Sequence, residues 1–291
     1  MFKKIVCLYH TPCNDGLTSA WVFDRYANRQ EAWKDIPIII KGASHEDGIG
    51  DYEQYRDANV FFIDFSIKRP KMLELAKVAR FITIIDHHKT AEEGLVDLPS
   101  NVEVHFNMKK CGCVLAWDYF FKDSSTEKMP AFLEYIQDTD IWTKKLPDTE
   151  EFIAWLDDYS PKTIEDIEDA IIGWTQHRKD CIKVGQCILS YKDGLIRSVV
   201  NYAYETTLDG VKVVKINSPF NRLNSELGMR LSKIWQLPSW VWHEAKVEDG
   251  KVIQKNSLRS LDHLADVSEL ASRFGGGGHR NASGFVGVGR A

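Results

Sequence analysis

The chain is organised around the segment Phe81-Ile82-Thr83-Ile84-Ile85-Asp86-His87-His88, a short apolar run that ends in one carboxylate and two adjacent imidazoles. An apolar run of this length, rich in β-branched and aromatic residues, predicts a buried strand. In an open α/β sheet, the groups just beyond the carboxyl end of a strand are those that meet a ligand. Because carboxylates and imidazoles bind divalent cations, the segment predicts a metal site. A solvated strand terminus is the alternative.

Two further predicted strands end in the same way. Residues 4–9 lead into a polar loop that contains His10 and Asp15, and residues 60–63 are followed at once by Asp64. Segments of helical spacing separate the strands, which is typical of βαβ units in a parallel sheet. The carboxyl ends of parallel strands share one edge, so we expect these polar side chains to form one site.

The length and charge of the chain limit its possible functions. At 291 residues the chain is longer than most single cores, so two domains are expected. A net charge of −5 argues against a large basic face for duplex nucleic acid, although a small cationic pocket remains compatible with it. The first residues, Met1-Phe2-Lys3-Lys4-Ile5-Val6, show no signal-peptide pattern, and no apolar stretch is long enough to span a bilayer. We therefore expect a soluble, cytoplasmic protein without a membrane partner.

The predicted fold class is α/β with two domains. Residues 1–175 are expected to form a parallel-sheet domain with helices on both faces. Residues 176–204 have helical spacing and few helix breakers, which predicts a linker helix. Residues 205–291 combine an alternating strand at 211–216 with a helix and a hairpin, which predicts a smaller α+β domain.

A glycine-rich segment near the end of the chain suggests a phosphate site. Four successive glycines, Gly275-Gly276-Gly277-Gly278, lack a Cβ atom, so their amides can line an anion-binding concavity. His279 and Arg280 follow at once, and Arg259 lies on the adjacent predicted hairpin. This combination predicts a phosphate clamp, with a simple flexible loop as the alternative.

The cysteines are sparse, and the pair in Cys111-Gly112-Cys113 has the wrong spacing for a zinc knuckle. We predict ordinary buried thiols at these two positions.

The candidate metal ligands are enough for two ions. They are Asp15, Asp64, His87 and Asp138, with His10 and Cys13 beside them. Asp138 lies in an apolar helical stretch, where the alternative is a solvent-facing acid at the end of a helix. A pair of divalent ions lowers the pKa of a bridging water and holds a phosphate for in-line attack. Hydrolysis of a phosphoester is the reaction that uses both properties.

Taken together, the motifs resemble those of the DHH phosphoesterase superfamily. Asp86-His87-His88, the upstream Asp15-Gly16 and Asp64, and the terminal Gly-Gly-Gly-Gly-His occur here in the order of its two-domain branch. That branch includes oligoribonucleases (nano-RNases), cyclic-dinucleotide phosphodiesterases and single-strand exonucleases. The resemblance covers essentially the whole chain, and implies a metal-binding catalytic domain at 1–175 and a substrate-binding domain at 205–291.

The resemblance also implies roles for individual residues in a site with two Mn²⁺ ions. His10 and Asp64 would hold one ion, and the second would be held by Asp15, Asp64, His87 and Asp138. His88 is similar to the histidine that faces the scissile phosphate, and Asp86 to the partner that orients an imidazole. The implied substrate-binding residues are Arg259, Gly277, Gly278, His279 and Arg280.

One residue departs from the family pattern. The first motif of the family usually has a second carboxylate two residues before Asp15, where this chain has Cys13. A thiolate would favour Zn²⁺ or Fe²⁺ over Mn²⁺, whereas a neutral thiol would hold the ion loosely. The choice between Asp138 and Asp140 as a ligand also stays open.

The resulting prediction is a Mn-dependent, exoribonuclease-like phosphodiesterase that hydrolyses short single-stranded oligonucleotides to mononucleotides. A phosphodiesterase for cyclic mono- or dinucleotides needs the same metals and clamp, so it is the first alternative. A nucleic-acid-binding module with a decayed metal site, marked by Cys13, is the second. The sequence leaves open whether the chain forms a homodimer.

Overall fold

A computed structural model of the chain describes residues 3–44, 48–220, 223–248 and 251–288. Met1 and Phe2, at the start of the N-terminal segment, lie outside the described residues. The chain divides into two compact units, Met1–Ile188 and Leu189–Ala291, called the first and second unit below. Among the described residues, no helix has both the length and the apolar character that crossing a membrane requires.

The first unit contains a parallel sheet. Its strands are β1 (Lys4–His10), β2 (Ile38–Ala43), β3 (Ala58–Ile63), β4 (Phe81–Asp86) and β5 (Val102–Phe106). The strand order is β2-β1-β3-β4-β5, and every neighbouring pair is parallel. Strand β4, which contains the apolar run before His87 and His88, is an inner strand of the sheet. It pairs with β3 on one side and with β5 on the other.

Helices follow or precede these strands throughout the first unit. They are α1 (Asn14–Ala27), α2 (Arg69–Val78), α3 (Lys89–Gly94), α4 (Gly112–Phe121), α5 (Ala131–Asp140), α6 (Thr149–Tyr159) and α7 (Ile164–Gln176). A further helix, α8 (Arg178–Val199), begins in the first unit and ends in the second. Two of the helix starts have clear local causes. Pro70 stands in the first turn of α2, where the missing N–H costs nothing, and Thr163 opens α7 with a capping box.

The sheet of the first unit has an apolar core on each face. Side chains alternate along a strand, so Ile5 and Cys7 of β1 enter one core and Val6 and Leu8 enter the other. Helices α1, α4, α5, α6 and α7 cover the first core, and α2 covers the second. The predicted α/β class, with helices on both faces of a parallel sheet, is confirmed.

The second unit is a smaller α+β structure. Its elements are β6 (Tyr204–Leu208), β7 (Val211–Asn217), α9 (Asn224–Trp235), β8 (Ser239–Glu248), β9 (Lys251–Arg259), α10 (Val267–Ser272), β10 (Gly277–His279) and β11 (Ala282–Val288). The strand order is β10-β11-β9-β8-β7-β6, with β7 and β8 parallel and the other pairs antiparallel. Leu227 and Leu231 of α9 pack on Val241, while Val267 of α10 belongs to a separate core with Leu258.

Candidate functional site

The carboxyl ends of three neighbouring strands bring acidic and imidazole groups together. His10 is the last residue of β1, Asp64 follows β3, and His87 follows β4. Asp15 stands in the first turn of α1, directly after the loop that leaves β1. Overlapping groups of these side chains place ligand atoms within 4.8 Å of one another, as expected for the shared edge of a parallel sheet.

Asp64 lies at the centre of the cluster. Its Oδ1 is 3.0 Å from Nε2 of His87, and its Oδ2 is 3.5 Å from Nδ1 of His10. Burial opposes the charge of this carboxyl, but the neighbouring imidazoles of His87 and His10 lower its pKa to about 2. Oδ2 is buried and has no hydrogen-bond partner in the part of the chain that the structure describes. Asp64 therefore presents an ionised, incompletely satisfied oxygen, which is suited to a cation.

Asp15 is held by the N-terminus of α4. Its two carboxylate oxygens accept hydrogen bonds from the backbone N–H groups of Gly112, at 2.6 Å, and Cys113, at 2.8 Å. Burial, followed by the nearby carboxylates of Asp64 and Asp140, raises the pKa of Asp15 to about 7. A bound cation would relieve this repulsion, so the site favours positive charge.

Two glycines allow this close packing, and the sequence analysis gave neither of them a functional role. A Cβ atom on Gly112 would lie 2.4 Å from Cβ of Asp64, and one on Gly16 would lie 2.1 Å from the carbonyl oxygen of His10. Both distances are far below van der Waals contact. For Gly16 the signal in the sequence was its position next to the candidate ligand Asp15. Gly112 carried no such signal, because it lies between two cysteines that were predicted to be ordinary thiols.

His87 is surrounded by three carboxylates. Besides Asp64, its Nε2 lies 3.5 Å from Oδ2 of Asp140 and 3.8 Å from Oδ2 of Asp15. Burial alone would lower the pKa of His87, but these carboxylates raise it to about 9. Partial desolvation also raises the pKa of Asp140, which lies at the exposed edge of the cluster. The cluster thus concentrates negative charge around one imidazole.

Asp138, predicted as a metal ligand, has a different environment. Its carboxylate accepts hydrogen bonds from the backbone N–H groups of Lys145 and Leu146, at 2.8 and 3.0 Å. It also accepts hydrogen bonds from the hydroxyls of Thr143 and Thr149, both at 2.5 Å. Asp138 is therefore buried in the loop that follows α5, where it orders the backbone.

The structure brings Asp140 to the cluster, and the assignment of Asp138 as the ligand is corrected accordingly. The physical reason is helix geometry, because residues two apart in a helix point to nearly opposite sides. Only one of the two carboxylates can then face His87, and the loop of 143–149 engages the other.

These contacts predict opposite effects for the two acids. Asp138→Asn should lower the free energy of unfolding by about 2–4 kcal/mol at pH 7, since buried donors lose a charged acceptor. Asp140→Asn should change stability little and weaken divalent-metal binding instead. Urea unfolding and metal titration of both variants would test this contrast, which fails if Asp138→Asn unfolds like the wild type.

The stabilisation by Asp138 should also depend on pH. Neighbouring donors overcome the effect of burial and lower the folded-state pKa of Asp138 to about 2. An unfolded Asp has an ordinary pKa of about 3.9. The charged form therefore stabilises the fold above pH 4, and this contribution is lost as the pH falls toward 2. The stability difference between wild type and Asp138→Asn should shrink over that range.

Asp86 holds His88 at the edge of the cluster. Oδ1 of Asp86 lies 2.7 Å from Nδ1 of His88 and accepts the backbone N–H of His87 at 2.7 Å. This hydrogen bond raises the pKa of His88, whose side chain remains partly exposed. Asp86 therefore fixes the orientation of the His88 ring.

Three cysteines of the first unit lie in or beside the cluster, in two different environments. Cys111 and Cys113 are fully buried, as predicted for ordinary thiols, with their sulfur atoms 3.4 Å apart. Cys13 instead contributes to the cluster, because its Sγ lies within 4.8 Å of ligand atoms of His10 and Asp64. Burial, followed by the charges of Asp64 and Asp15, raises the pKa of the Cys13 thiol well above its usual range.

The second unit contains a cavity of about 560 Å³. The cavity is lined by Asn224, Ser225, His243, Lys255, Asn256, Ser257, Arg259, Gly275, Gly276, Gly284, Phe285 and Val286. Arg259 donates a hydrogen bond to Oγ of Ser225 at 3.2 Å, and burial lowers its pKa. Nδ1 of His243 is buried and has no hydrogen-bond partner within the described ranges. The cavity therefore combines basic groups with spare hydrogen-bonding capacity, which suits an anion.

The predicted substrate-binding residues separate into two groups. Arg259 lines the cavity, together with the first two glycines of the run. The other predicted residues, which do not line it in the described structure, are Gly277, Gly278, His279 and Arg280.

Local structure explains why these four residues lie elsewhere. Gly277, Gly278 and His279 form β10, paired with β11, and a Cβ atom on Gly278 would lie 2.6 Å from the carbonyl oxygen of Ala282. Arg280 turns toward the start of α10 and lies 3.4 Å from Oδ2 of Asp266. The last glycines of the run therefore serve strand pairing.

No protein-family model matches the chain. The uncharacterized protein R106 of Acanthamoeba polyphaga mimivirus is 32% identical, over 97% of this chain and 67% of that protein. Oligoribonuclease NrnB of Bacillus subtilis is 24% identical, over 80% of this chain and 60% of its own length. The chain thus spans 60% to 67% of the length of these two relatives.

A solved structure shares the fold. RecJ from Thermus thermophilus in complex with Mn²⁺ gives a TM-score of 0.53 at 12% identity, over 97% of this chain and 49% of RecJ. The similarity therefore extends through both units. With the Asp86-His87-His88 segment at the end of β4, the cluster at the sheet edge and these relatives, the chain belongs to the DHH phosphoesterase superfamily.

Proposed function

We propose that the chain is a metal-dependent phosphodiesterase that hydrolyses short single-stranded oligonucleotides to mononucleotides. The observation that carries the proposal is Asp64, ionised and buried between the imidazoles of His10 and His87, with one oxygen unpartnered among the described residues. Such a group is costly to bury without a cation. Phosphoester hydrolysis is the chemistry that a cluster of this kind supports.

The residues present fit divalent cations. Two donor sets share Asp64, and we propose that each holds one ion, with Mn²⁺ as the reference metal. One set is His10, Cys13 and Asp64, and the other is Asp15, Asp64, His87 and Asp140. When bound, such ions lower the pKa of a water molecule and neutralise charge on a phosphate.

His88 is the proposed residue that contacts the reacting phosphate. Asp86 occupies Nδ1 of this imidazole, which leaves Nε2 to donate a hydrogen bond to a phosphate oxygen. The raised pKa of His88 favours the protonated ring, and a charged donor binds phosphate more strongly than a neutral one. Asp86 is therefore a positioning residue for His88.

The substrate class is supported by the relatives and by the charge. NrnB is an oligoribonuclease, and RecJ is an exonuclease. Both of these proteins are nucleases. The match to this chain covers 60% of the length of NrnB. A net charge of −5 suits a short substrate, because few backbone phosphates need to be neutralised.

The cavity of the second unit is the proposed site for a terminal phosphate. Arg259 supplies a guanidinium, which matches phosphate geometry, and Lys255 supplies a second positive charge. The hydroxyls of Ser225 and Ser257 add donors around the same space. Recognition of a terminal phosphate would restrict cleavage to the end of a strand.

The direct test uses purified protein and end-labelled RNA of two to five nucleotides with Mn²⁺. We expect stepwise release of mononucleotides, which a chelator stops and added Mn²⁺ restores. Intact oligonucleotides with Mn²⁺, Mg²⁺, Co²⁺ and Zn²⁺ alike would contradict the proposal. A cyclic dinucleotide included in parallel tests the substrate, because faster hydrolysis of the cyclic compound would reassign it.

His88→Asn should separate the chemical step from metal binding. We expect kcat to fall by about 10²- to 10⁴-fold, the usual effect of losing a positioned proton donor. Divalent-metal affinity should fall much less than kcat, because Asp86 holds Nδ1 of His88, although a ring nitrogen of His88 lies within 4.8 Å of ligand atoms of Asp64 and His87. His105→Asn is the matched control, since that imidazole pairs with Glu103 on β5. Equal kcat values for the two variants would exclude this role for His88.

A further inference from the structure

We infer that Cys13 is a metal ligand, and that the set His10, Cys13 and Asp64 selects Zn²⁺ or Fe²⁺ in preference to Mn²⁺. This set is called the sulfur subsite below. The inference rests on the proposed function only in taking the cluster to hold metal. If the inference holds, the cluster binds two different metal ions. The inference also accounts for Cys13 at a position where the family pattern has a carboxylate.

The placement of the three side chains supports coordination by one ion. One imidazole nitrogen, the Cys13 sulfur and one Asp64 oxygen all lie within 4.8 Å of one another. Tetrahedral zinc, with bonds of about 2.0–2.3 Å to such atoms, brings its ligands within about 4 Å of each other. The subsite is therefore close to the size that a single ion requires.

A second observation points to a ligand at the same place. Oδ2 of Asp64, the oxygen nearest His10, is buried and lacks a hydrogen-bond partner in the described structure. Asp64 as a residue is 2% exposed, so bulk water does not satisfy this oxygen. A buried carboxylate oxygen that receives no donor from the described residues is available as a ligand for a cation.

Helix capping does not account for a cysteine at this position. Cys13 is the N-cap residue of α1, where Ser, Thr, Asp and Asn are strongly preferred because their oxygen atoms accept backbone N–H groups. A thiol is a weak acceptor in that role. The residue at position 13 is thus better explained by its neighbours His10 and Asp64 than by the helix.

The two donor sets differ in chemical hardness. The sulfur subsite offers nitrogen, sulfur and oxygen, which suits borderline cations such as Zn²⁺ and Fe²⁺. The other set contains three carboxylates and one imidazole, which suits Mn²⁺ and Mg²⁺. Sharing of Asp64 lets both ions bind side by side with different preferences.

Binding at the sulfur subsite requires loss of one proton. The S–H bond of Cys13 breaks, the sulfur forms a bond to the divalent ion, and the proton passes to the buffer. No oxidant or reductant takes part, because metal and sulfur keep their oxidation states.

Cobalt substitution tests the inference without any activity measurement. Anaerobic titration of the full chain with Co²⁺ should produce a near-ultraviolet sulfur-to-cobalt charge-transfer band at one equivalent per chain. Cys13→Ser should abolish the band. Cys187→Ser is the matched control and should keep it, because Cys187 is an exposed cysteine on α8. A missing band in the wild type, or a band that survives in Cys13→Ser, would overturn the inference.

Metal competition provides a second readout on a variant that restores a carboxylate. After dialysis against equal Zn²⁺ and Mn²⁺, wild type should retain one Zn²⁺ per chain, measured by elemental analysis. Cys13→Asp should lower the preference for Zn²⁺ by at least about 10-fold, since even indirect partners of a metal change affinity by that factor. An unchanged preference in this variant counts against the inference, and circular dichroism shows whether each variant is folded.

The outcomes distinguish this inference from the proposed function. A cobalt–sulfur band in a protein that leaves oligonucleotides intact would support the sulfur subsite and contradict the phosphodiesterase. Hydrolysis with Mn²⁺ in a protein without the band would support the phosphodiesterase and overturn the role of Cys13.

Discussion

Substitution of Asp64 by asparagine is expected to lower kcat of the proposed phosphodiesterase reaction by at least about 10³-fold. Metal ions stabilise transition-state charge by several kcal/mol, and each 1.4 kcal/mol or so corresponds to about tenfold in rate. Asp64 is the carboxylate common to both donor sets. Its replacement should therefore weaken both ions together, which no other single change in the cluster would do.

The backbone makes this substitution a clean test of charge. Asp64 has a φ of 57°, in the left-handed region, and asparagine is among the residues that tolerate this conformation best. Asp57→Asn is the matched control at the other end of β3. Asp57 has a φ of 58°, but its carboxylate pairs at the surface with Lys3.

Steady-state kinetics with RNA dinucleotides and divalent-metal titrations would be measured for both variants. Asp57→Asn should keep the kcat and metal affinity of the wild type. Thermal unfolding should show that Asp64→Asn remains folded. Activity of Asp64→Asn within tenfold of the wild type would show that the cluster is not the catalytic centre.

Gly112→Ala is expected to have the next largest effect, although it adds only one methyl group. The new Cβ would lie 2.4 Å from Cβ of Asp64 and 3.0 Å from Oδ2 of Asp15. Helix α4 must then move away from the cluster. Such overpacking costs about 1–3 kcal/mol of stability. A shift of the ligands by about 1 Å would also lower activity on the order of 10²-fold.

Gly194→Ala is the matched control for this substitution. Gly194 is also helical, in α8, and an added Cβ would meet no atom of the described residues within 4 Å. Alanine should therefore stabilise that helix slightly, by roughly 0.5–1 kcal/mol. Urea unfolding, kcat and metal affinity would be compared for both variants. Equal stability and activity of Gly112→Ala and wild type would refute the close packing between α4 and the two carboxylates.

Local patterns were sufficient to predict the strands that carry the cluster. The apolar run 81–85 became β4, and the acids that follow apolar runs came together because parallel strands end at one edge. Burial on both faces of the sheet makes such strands almost entirely apolar, so the polar residue that ends each run is conspicuous in the sequence. The α/β class and the approximate site followed from this contrast.

Other features depend on contacts between distant segments. The choice of Asp140 over Asp138 depends on how α5 is rotated, which Thr149 and the backbone of 145–146 determine. The need for glycine at position 112 arises only because α4 approaches Asp64. Neither relation leaves a pattern within a short window of sequence.

The glycine run shows the same limit in the second unit. Four glycines in sequence indicate freedom of the backbone, without indicating whether an anion or another strand uses that freedom. The structure assigns Gly275 and Gly276 to the cavity and the next two glycines to β10. Strand pairing decides this division, and its partner lies several residues further along the chain in β11.

By itself, the sequence determined the parallel sheet, the order of its strands along the chain and the residue types at their carboxyl ends, because periodicity and burial are local properties. Only the tertiary structure decided which carboxylates meet and which donors each of them receives. It also decided that the sulfur of Cys13 lies beside His10 and Asp64. The physical reason is that distances between side chains depend on the rotation and approach of packed helices, which the whole core sets together.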